Sequence, residues 1–376
     1  MLLFFISAGS IAYIAVGYPL LLGMLARSRG RQVRRSDELP TLSIIIPVYN
    51  GSRFIRRKLE SVLKCDYPVG KLEILVVSDG SDDLSVDIAK EYIDRNVQVI
   101  SIPRSGKAAA LNAAALRSSG QLTVLTDVRQ DLSPSALRQL VRPFADPTVG
   151  VVSGELVLRK GKTQGEADVE RYWTHETWMR RQLSLIDSMF GATGPFYAIR
   201  THLFVPVPHD ILLDDMYLPL TAFFKGYRLI VEPEAQAFDY PMTREREFRR
   251  KVRTLGGNYQ LLLRMPRLLT RRNRLLWHFL SYKVGRLLLP WLFGALFYSS
   301  FRLPRPINRV AIAAQVVFYS LALLDPVIPQ GALCKKASSP VRTFLVLMAA
   351  TIAGLKVLFV PAQSLWRVTD IAAIDS

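Results

Sequence analysis

The chain has 376 residues, 50% of them hydrophobic, with a formal net charge of +18 and two cysteines. That composition excludes an intrinsically disordered chain and a small disulfide-stapled module. The length allows about two or three domains of 100–200 residues each. With 21% charged residues beside so much apolar material, the apolar residues must be segregated along the chain.

Segregation begins at the N-terminus. Residues 2–26 contain no charged side chain, and roughly 20 such residues cross the ~30 Å core of a bilayer as a helix. The basic run Arg27, Arg29, Arg31, Arg34 and Arg35 follows the apolar stretch, the reverse of a cleaved signal peptide. Segment 1–27 is therefore expected to be an uncleaved transmembrane anchor. The positive-inside rule then puts the Arg run and the polar region behind it in the cytoplasm. Cys65 and Cys334, far apart in the sequence, read as reduced bystanders.

From Thr41 to about Tyr240 short apolar runs alternate with amphipathic stretches, the pattern of an α/β domain with helices flanking a sheet. The strand candidates are 42–49, 72–78, 97–102, 121–126 and 150–158, and the helix candidates are 53–64, 84–94, 108–118 and 134–144. Continuous apolar runs suggest strands buried on both faces, hence a largely parallel sheet. Such sheets bind ligands at the carboxyl ends of their strands, where Tyr49, Asn50, Asp79 and Asp127 fall. The domain is expected over 39–243.

Beyond Tyr240 the composition shifts. The basic stretch Arg244–Arg274 suits interfacial helices over 244–285. Its partners are expected to be anionic membrane lipids or a diphosphate. No nucleic-acid-binding motif accompanies the charge, so nucleic acid is not an expected partner. Three apolar segments follow in a C-terminal transmembrane region, 286–376: about 287–301, which is short for a span, then 310–328 and 344–360. The linkers between them are both basic, so charge does not orient them.

Several acids and cations could carry chemistry. Asp79 closes a strand and begins SDGSDD; Asp82 and Asp83 read as turn and helix caps, Asp79 as a ligand contact. Asp127 ends the next buried strand and reads either as a ligand for a hard divalent cation or as a capping acid. Lys107 opens an Ala-rich helix and could meet an anion or simply be solvated. Asp214 and Asp215 lie among apolar residues, as a general base and its neighbour or as a helix N-cap. Arg250 and Arg253 share one helical face and could grip phosphate.

The order of these pieces is distinctive: PVYN (47–50), SDG (78–80), GKAAALNAA (106–114), TD (126–127), GATGPFYAIR (191–200), LLDD (212–215) and RKVR (250–253). From about Leu39 to Gln260 the chain resembles a membrane glycosyltransferase of family 2, in the branch of the cellulose, hyaluronan and poly-N-acetylglucosamine synthases. The resemblance implies a GT-A fold and inverting transfer from a nucleotide-diphosphate sugar, expected to be a uridine diphosphate sugar, to a lipid-linked or membrane-proximal glycan acceptor. It implies surface-glycan or exopolysaccharide synthesis at a bacterial inner membrane, with the catalytic domain cytoplasmic. A processive synthase that also translocates its polymer, and a catalytically silent scaffold subunit, are the alternatives.

By position, the resemblance gives Tyr49, Asn50 and Asp79 to the nucleotide, with Lys107 near it. It gives Asp127 to a Mg²⁺ or Mn²⁺ ion, Asp215 to the catalytic base with Asp214 beside it, Arg250 and Arg253 to the diphosphate, and Gly194 to the acceptor side. Three departures stand out. Arg129 replaces the second acid of the D-x-D motif, Arg250 and Thr254 replace the Gln and Trp of Q-x-x-R-W, and Gly51 replaces a Glu that often follows PxYN.

Overall fold

The computed structural model describes residues 1–159, 164–240, 244–329 and 332–365. Residues 160–163, 241–243, 330–331 and 366–376 of the expected domains lie outside the described residues. The chain divides into two compact units. A helical unit comprises Met1–Arg27, Lys160–Met179 and Pro241–Pro361; an α/β unit comprises Ser28–Arg159, Arg180–Tyr240 and Ala362–Ser376.

In chain order the helices begin with α1 (Leu2–Ala12) and α2 (Tyr18–Arg29), joined by a π-helical turn. The α/β region then runs β1 (Leu42–Val48), α3 (Ser52–Leu63), β2 (Leu72–Asp79), α4 (Ser85–Lys90), β3 (Val97–Ile102), α5 (Lys107–Ala115) and β4 (Leu122–Thr126). It continues with β5 (Asp131–Leu132), α6 (Ala136–Val141), β6 (Val149–Leu158), α7 (Gln164–Ile186), β7 (Phe196–Arg200), α8 (Asp214–Phe224) and β8 (Arg228–Asp239). Last come α9 (Arg244–Arg264), α10 (Leu276–Phe279), α11 (Gly285–Ser300), α12 (Ile307–Leu324) and α13 (Leu333–Gly354).

The eight strands form one sheet in the order β3-β2-β1-β4-β7-β6-β8-β5. Its first four strands are parallel, with Ile44 of β1 opposite Ile74 and Val124. The other half departs from the expected parallel pattern: β7 runs antiparallel to both β4 and β6, and β5 antiparallel to β8. One face of β1, β2 and β4 packs its Ile, Leu and Val side chains on α3 and α6, with Ile44, Ile46, Ile55 and Leu59 fully buried. Because β1, β2 and β4 are parallel neighbours, the loops after them open on one sheet edge.

In the helical unit, three helices are long and apolar enough to cross a membrane: Leu2–Arg29, Ile307–Val327 and Leu333–Leu358. The first covers the residues expected to form the anchor. Helix α11 is not among them, in line with its short apolar run. The last helix starts eleven residues before the expected 344, because its polar first turns have a partner. Asp325, fully buried, sits 3.1 Å from Lys335 Nζ and 3.2 Å from Arg342, and accepts a 2.8 Å hydrogen bond from Ser338 Oγ. Helices α9 and α13 meet at glycines: a Cβ on Gly354 would lie 2.8 Å from the Gly256 nitrogen.

Candidate active site

Asp79 ends β2 almost fully buried, 3% exposed. Its carboxylate accepts the backbone N–H groups of Ser105 at 2.6 Å and Gly106 at 2.9–3.0 Å, and pairs with Arg104. Asp79 thus shapes the turn from which α5 begins. Gly106 takes φ +92°, a conformation costly to any residue with a Cβ, and delivers Lys107 to the first position of the helix. The Arg104 guanidinium also lies 3.5 Å over the Tyr49 ring. Asn50, at φ +48°, ties this corner to the next loop, accepting from Asp82 N–H while its own N–H donates to Ser81. Asp83, one residue before the Leu84 N-cap of α4, accepts from the backbone N–H groups of Ser52 and Ser85 where α3 and α4 begin.

Lys107 is the hub. Its Nζ stands 3.0 Å from Asp127 Oδ1 and 3.2 Å from Asp214 Oδ2, joining a strand-end acid to one that lies 87 positions further along the chain. Burial alone would lower its pKa, but the carboxylates of Asp127, Asp214 and Asp215 outweigh burial and raise it, so the ammonium stays charged. Helix α8 starts at Asp214 itself, with Leu213 as N-cap, so Asp214 and Asp215 occupy the first turn rather than the capping position. There their charge is favoured by the helix dipole.

The GATG segment packs directly on these acids. The Ala192 N–H donates to the Asp215 carbonyl at 2.7 Å. A Cβ added to Gly194 would stand 2.9 Å from Asp215 Oδ2. Arg180 fastens the loop from α7, donating to Thr193 Oγ1 at 2.8 Å, to Ser153 Oγ at 3.1 Å and to the Gly191 carbonyl at 3.2 Å. The structure therefore brings together Lys107, Asp127, Asp214, Asp215 and Gly194, with Asp79 one turn away behind Gly106.

Four residues of this unit escaped the sequence reading. Arg104 and Arg180 belong to none of the sequence motifs, yet they pair with Asp79 and fasten the 191–193 loop. Tyr197, opposite Leu125 in the β4–β7 register, is fully buried, and its hydroxyl has no hydrogen-bond partner among the described residues. Burial first, then Asp214, Asp215 and Asp127, push its pKa well above the usual phenol value, so it remains a neutral donor. Lys58 is buried beneath β4; burial pushes its pKa down to about 7 against the pull of Asp127.

Position 129 of the broken D-x-D motif faces Asp239: the Arg129 guanidinium pairs with that carboxylate, which also accepts from Gln130 at 2.7 Å. Among the described residues no group of three or more His, Cys, Asp or Glu side chains gathers to hold a metal. Asp127 remains as one carboxylate, its side chain 35% exposed. That donor set fits a hard cation that takes one protein carboxylate and fills its shell with phosphate oxygens and water.

Arg250 and Arg253 lie on α9 in the helical unit. Arg250 makes a two-pronged contact with Glu247, 2.8 and 2.7 Å, and lies 4.9 Å over the Trp173 ring.

Residues 43–205 match the family described as glycosyl transferase family 2. An N-acetylglucosaminyltransferase of Rhizobium sp. (strain N33) is 30% identical over 224 residues, covering 54% of this chain and 49% of the relative. The poly-beta-1,6-N-acetyl-D-glucosamine synthase of Staphylococcus epidermidis (strain ATCC 35984) is 25% identical over 266 residues, 68% of this chain and 62% of the synthase. The chain thus spans about half to three-fifths of the length of these curated relatives. The solved mannosyltransferase PcManGT from Pyrobaculum calidifontis, in complex with GDP-Man and Mn²⁺, superposes with a TM-score of 0.74 at 24% identity. The match covers 95% of this chain and 99% of that one, and shows a shared GT-A-like fold. The region 43–205, which carries strands β1 to β7 and the strand-end acids, is thus similar to glycosyl transferase family 2.

Proposed function

We propose that this chain is an inverting glycosyltransferase that moves one sugar from a nucleotide-diphosphate donor to the hydroxyl of a lipid-linked or membrane-proximal glycan, in surface-glycan synthesis at a bacterial inner membrane. The observation that carries the reading is the Lys107 bridge between Asp127 and Asp214, with Asp215 adjacent and the Gly194 wall pressed against it. Displacement at the anomeric carbon forms one C–O bond as the bond to the diphosphate breaks. Asp215 takes the proton leaving the acceptor hydroxyl. The Asp214 carboxylate holds Lys107, whose fixed positive charge offsets the charge gathering on the departing diphosphate. Asp127 would hold Mg²⁺ or Mn²⁺, which when bound supplies further charge to the diphosphate. The family motif supports placing Tyr49 and Asn50 at the nucleotide and Arg250 and Arg253 at the diphosphate.

Structural kinship with PcManGT and sequence kinship with N-acetylglucosamine transferases support guanosine and uridine diphosphate sugars as the donors to try first. The test is a screen of both nucleotides and their sugars by thermal shift, with and without Mn²⁺, followed by transfer assays on the positive donor. Binding of one diphosphate, and transfer abolished in Asp215→Asn, are expected. Undiminished transfer in Asp215→Asn overturns the assignment of the base. A ladder of products in place of one added sugar favours a processive synthase.

A further inference from the structure

Helix α3 is amphipathic, and its inward face carries Ile55, Leu59 and Val62, all fully buried. Lys58 falls on that same face and is also fully buried. A leucine or methionine there would extend the core without the cost of desolvating an amine, and replacing a buried charge by an apolar side chain of similar volume is often neutral or stabilising. The amine is therefore not explained by packing. Its two contacts show what it does: Nζ donates to Thr126 Oγ1 at 2.6 Å and to the Gln130 carbonyl at 2.7 Å.

Those acceptors are the two ends of the turn that carries Asp127. The turn is also tied on its far side. The Thr126 hydroxyl, accepting from Lys58, donates in turn to the Pro195 carbonyl at 2.8 Å, and the Asp127 N–H reaches the same carbonyl at 3.3 Å. Pro195 directly follows Gly194, the residue lying against Asp215. A continuous chain thus runs from Lys58 through Thr126 and Pro195 to the Gly194 wall. Two acceptors face the amine, and it retains two N–H donors whether protonated or neutral, so the arrangement does not depend on its charge.

We infer that Lys58 is a positioning residue that closes the 126–130 turn and fixes the spacing of the Asp127 carboxylate from the Gly194–Asp215 wall, so that Asp127 meets the cation-bound diphosphate of the donor. This inference rests on the transferase reading above. Lys58 touches no substrate; it acts through Thr126 and Gln130. Groups that orient a metal-binding or phosphate-binding side chain from behind typically change affinity or activity by roughly 10- to 100-fold when removed.

The experiment measures calorimetric binding of uridine and guanosine diphosphate, each with Mn²⁺, and of the corresponding monophosphates, to the full chain in detergent. Lys58→Met is expected to keep or raise the thermal midpoint. It should weaken diphosphate binding by about tenfold or more while changing monophosphate binding less than about twofold, since only the diphosphate reaches Asp127. Thr126→Val, which cuts the same chain at its middle, is expected to show the same selective loss, and the double variant to be no worse than the worse single one, because both act on one linkage. Unchanged diphosphate binding in a folded Lys58→Met overturns the inference. So does an equal loss for mono- and diphosphate, which marks general damage to the core. Should Lys58→Met not fold, Thr126→Val decides by the same criteria. A wild-type chain that binds neither diphosphate overturns the transferase reading and this inference together, an outcome distinct from normal wild-type binding left intact in the variants.

Discussion

Gly194 and Asp215 touch: a single methyl group on the glycine would stand 2.9 Å from Oδ2 of the acid. The glycine has no left-handed backbone to protect, so its small size is what the site uses. Gly194→Ala is expected to push the carboxylate aside at little cost to the fold, since only the far end of a side chain has to move. A displacement of about 1 Å at the reacting groups can cost on the order of 100-fold in rate. Transfer should fall by at least tenfold on that basis, with nucleotide binding by calorimetry and the thermal midpoint nearly unchanged.

Lys107 holds two acids that would otherwise repel each other. In Lys107→Met the Asp214 carboxylate, only 8% exposed, loses its ion-pair partner. Breaking a buried pair from one side costs about 3–5 kcal/mol, so thermal unfolding should show a clear drop in midpoint together with loss of transfer. Removing both charges at once, in Lys107→Met with Asp214→Leu, should recover most of that stability and none of the transfer.

Lys58 should leave a mark on the pH dependence of stability. Burial depresses its pKa to about 7, while the unfolded lysine titrates near 10.5. Between those values the unfolded chain binds the extra proton, so this residue's contribution makes stability rise with pH from about 7 to 10.5. In Lys58→Met that rise should be absent. Across this interval the wild-type midpoint is expected to rise relative to that of Lys58→Met as the pH increases; parallel curves would contradict the burial of a titrating amine.

In the helical unit Glu176 also makes stability rise with pH, over a lower range, because here the charged form is the favoured one. Burial alone would raise its pKa, but Arg286 and Lys283, with the Tyr282 hydroxyl, hold it well below the ordinary carboxylate range. The Arg286 contact is 2.7 Å. A depressed carboxylate contributes stability that is present above the unfolded value of 4.5 and is lost as pH falls toward the folded value. Glu176→Gln should therefore lower the thermal midpoint at neutral pH, with the gap from wild type shrinking below about pH 4.5.

Much of this was legible in the sequence because parallel strands buried on both faces are continuous apolar runs, and each such run ends where its carboxylate is needed. Asp79 and Asp127 could be placed that way. Asp215 and Gly194 came from the family pattern, and the structure then packs one on the other. The antiparallel strand β7 was not read as a strand: FYAIR is five residues long and its place beside β4 is set by pairing across about 70 positions. The backbone partners of Asp79 at 105–106 were not legible, because they are groups that no side-chain pattern reveals. Lys58 was hidden for a related reason, since one of its partners is the carbonyl of Gln130. Asp325 shows the same limit in the helical unit: its pairing with Lys335 and Arg342 turned an expected basic linker into the start of a helix.

The strand order also sets a timetable on the ribosome. Strand β4 is flanked by β1, made before it, and by β7, made some seventy residues later. At synthesis rates of 5–20 residues per second, the nascent chain waits on the order of several seconds with the backbone edge of Leu122–Thr126 open. An apolar edge without its neighbour is a template for wrong pairing. Newly made chains are thus most vulnerable to aggregation in that interval, before Phe196–Arg200 emerges to close the gap.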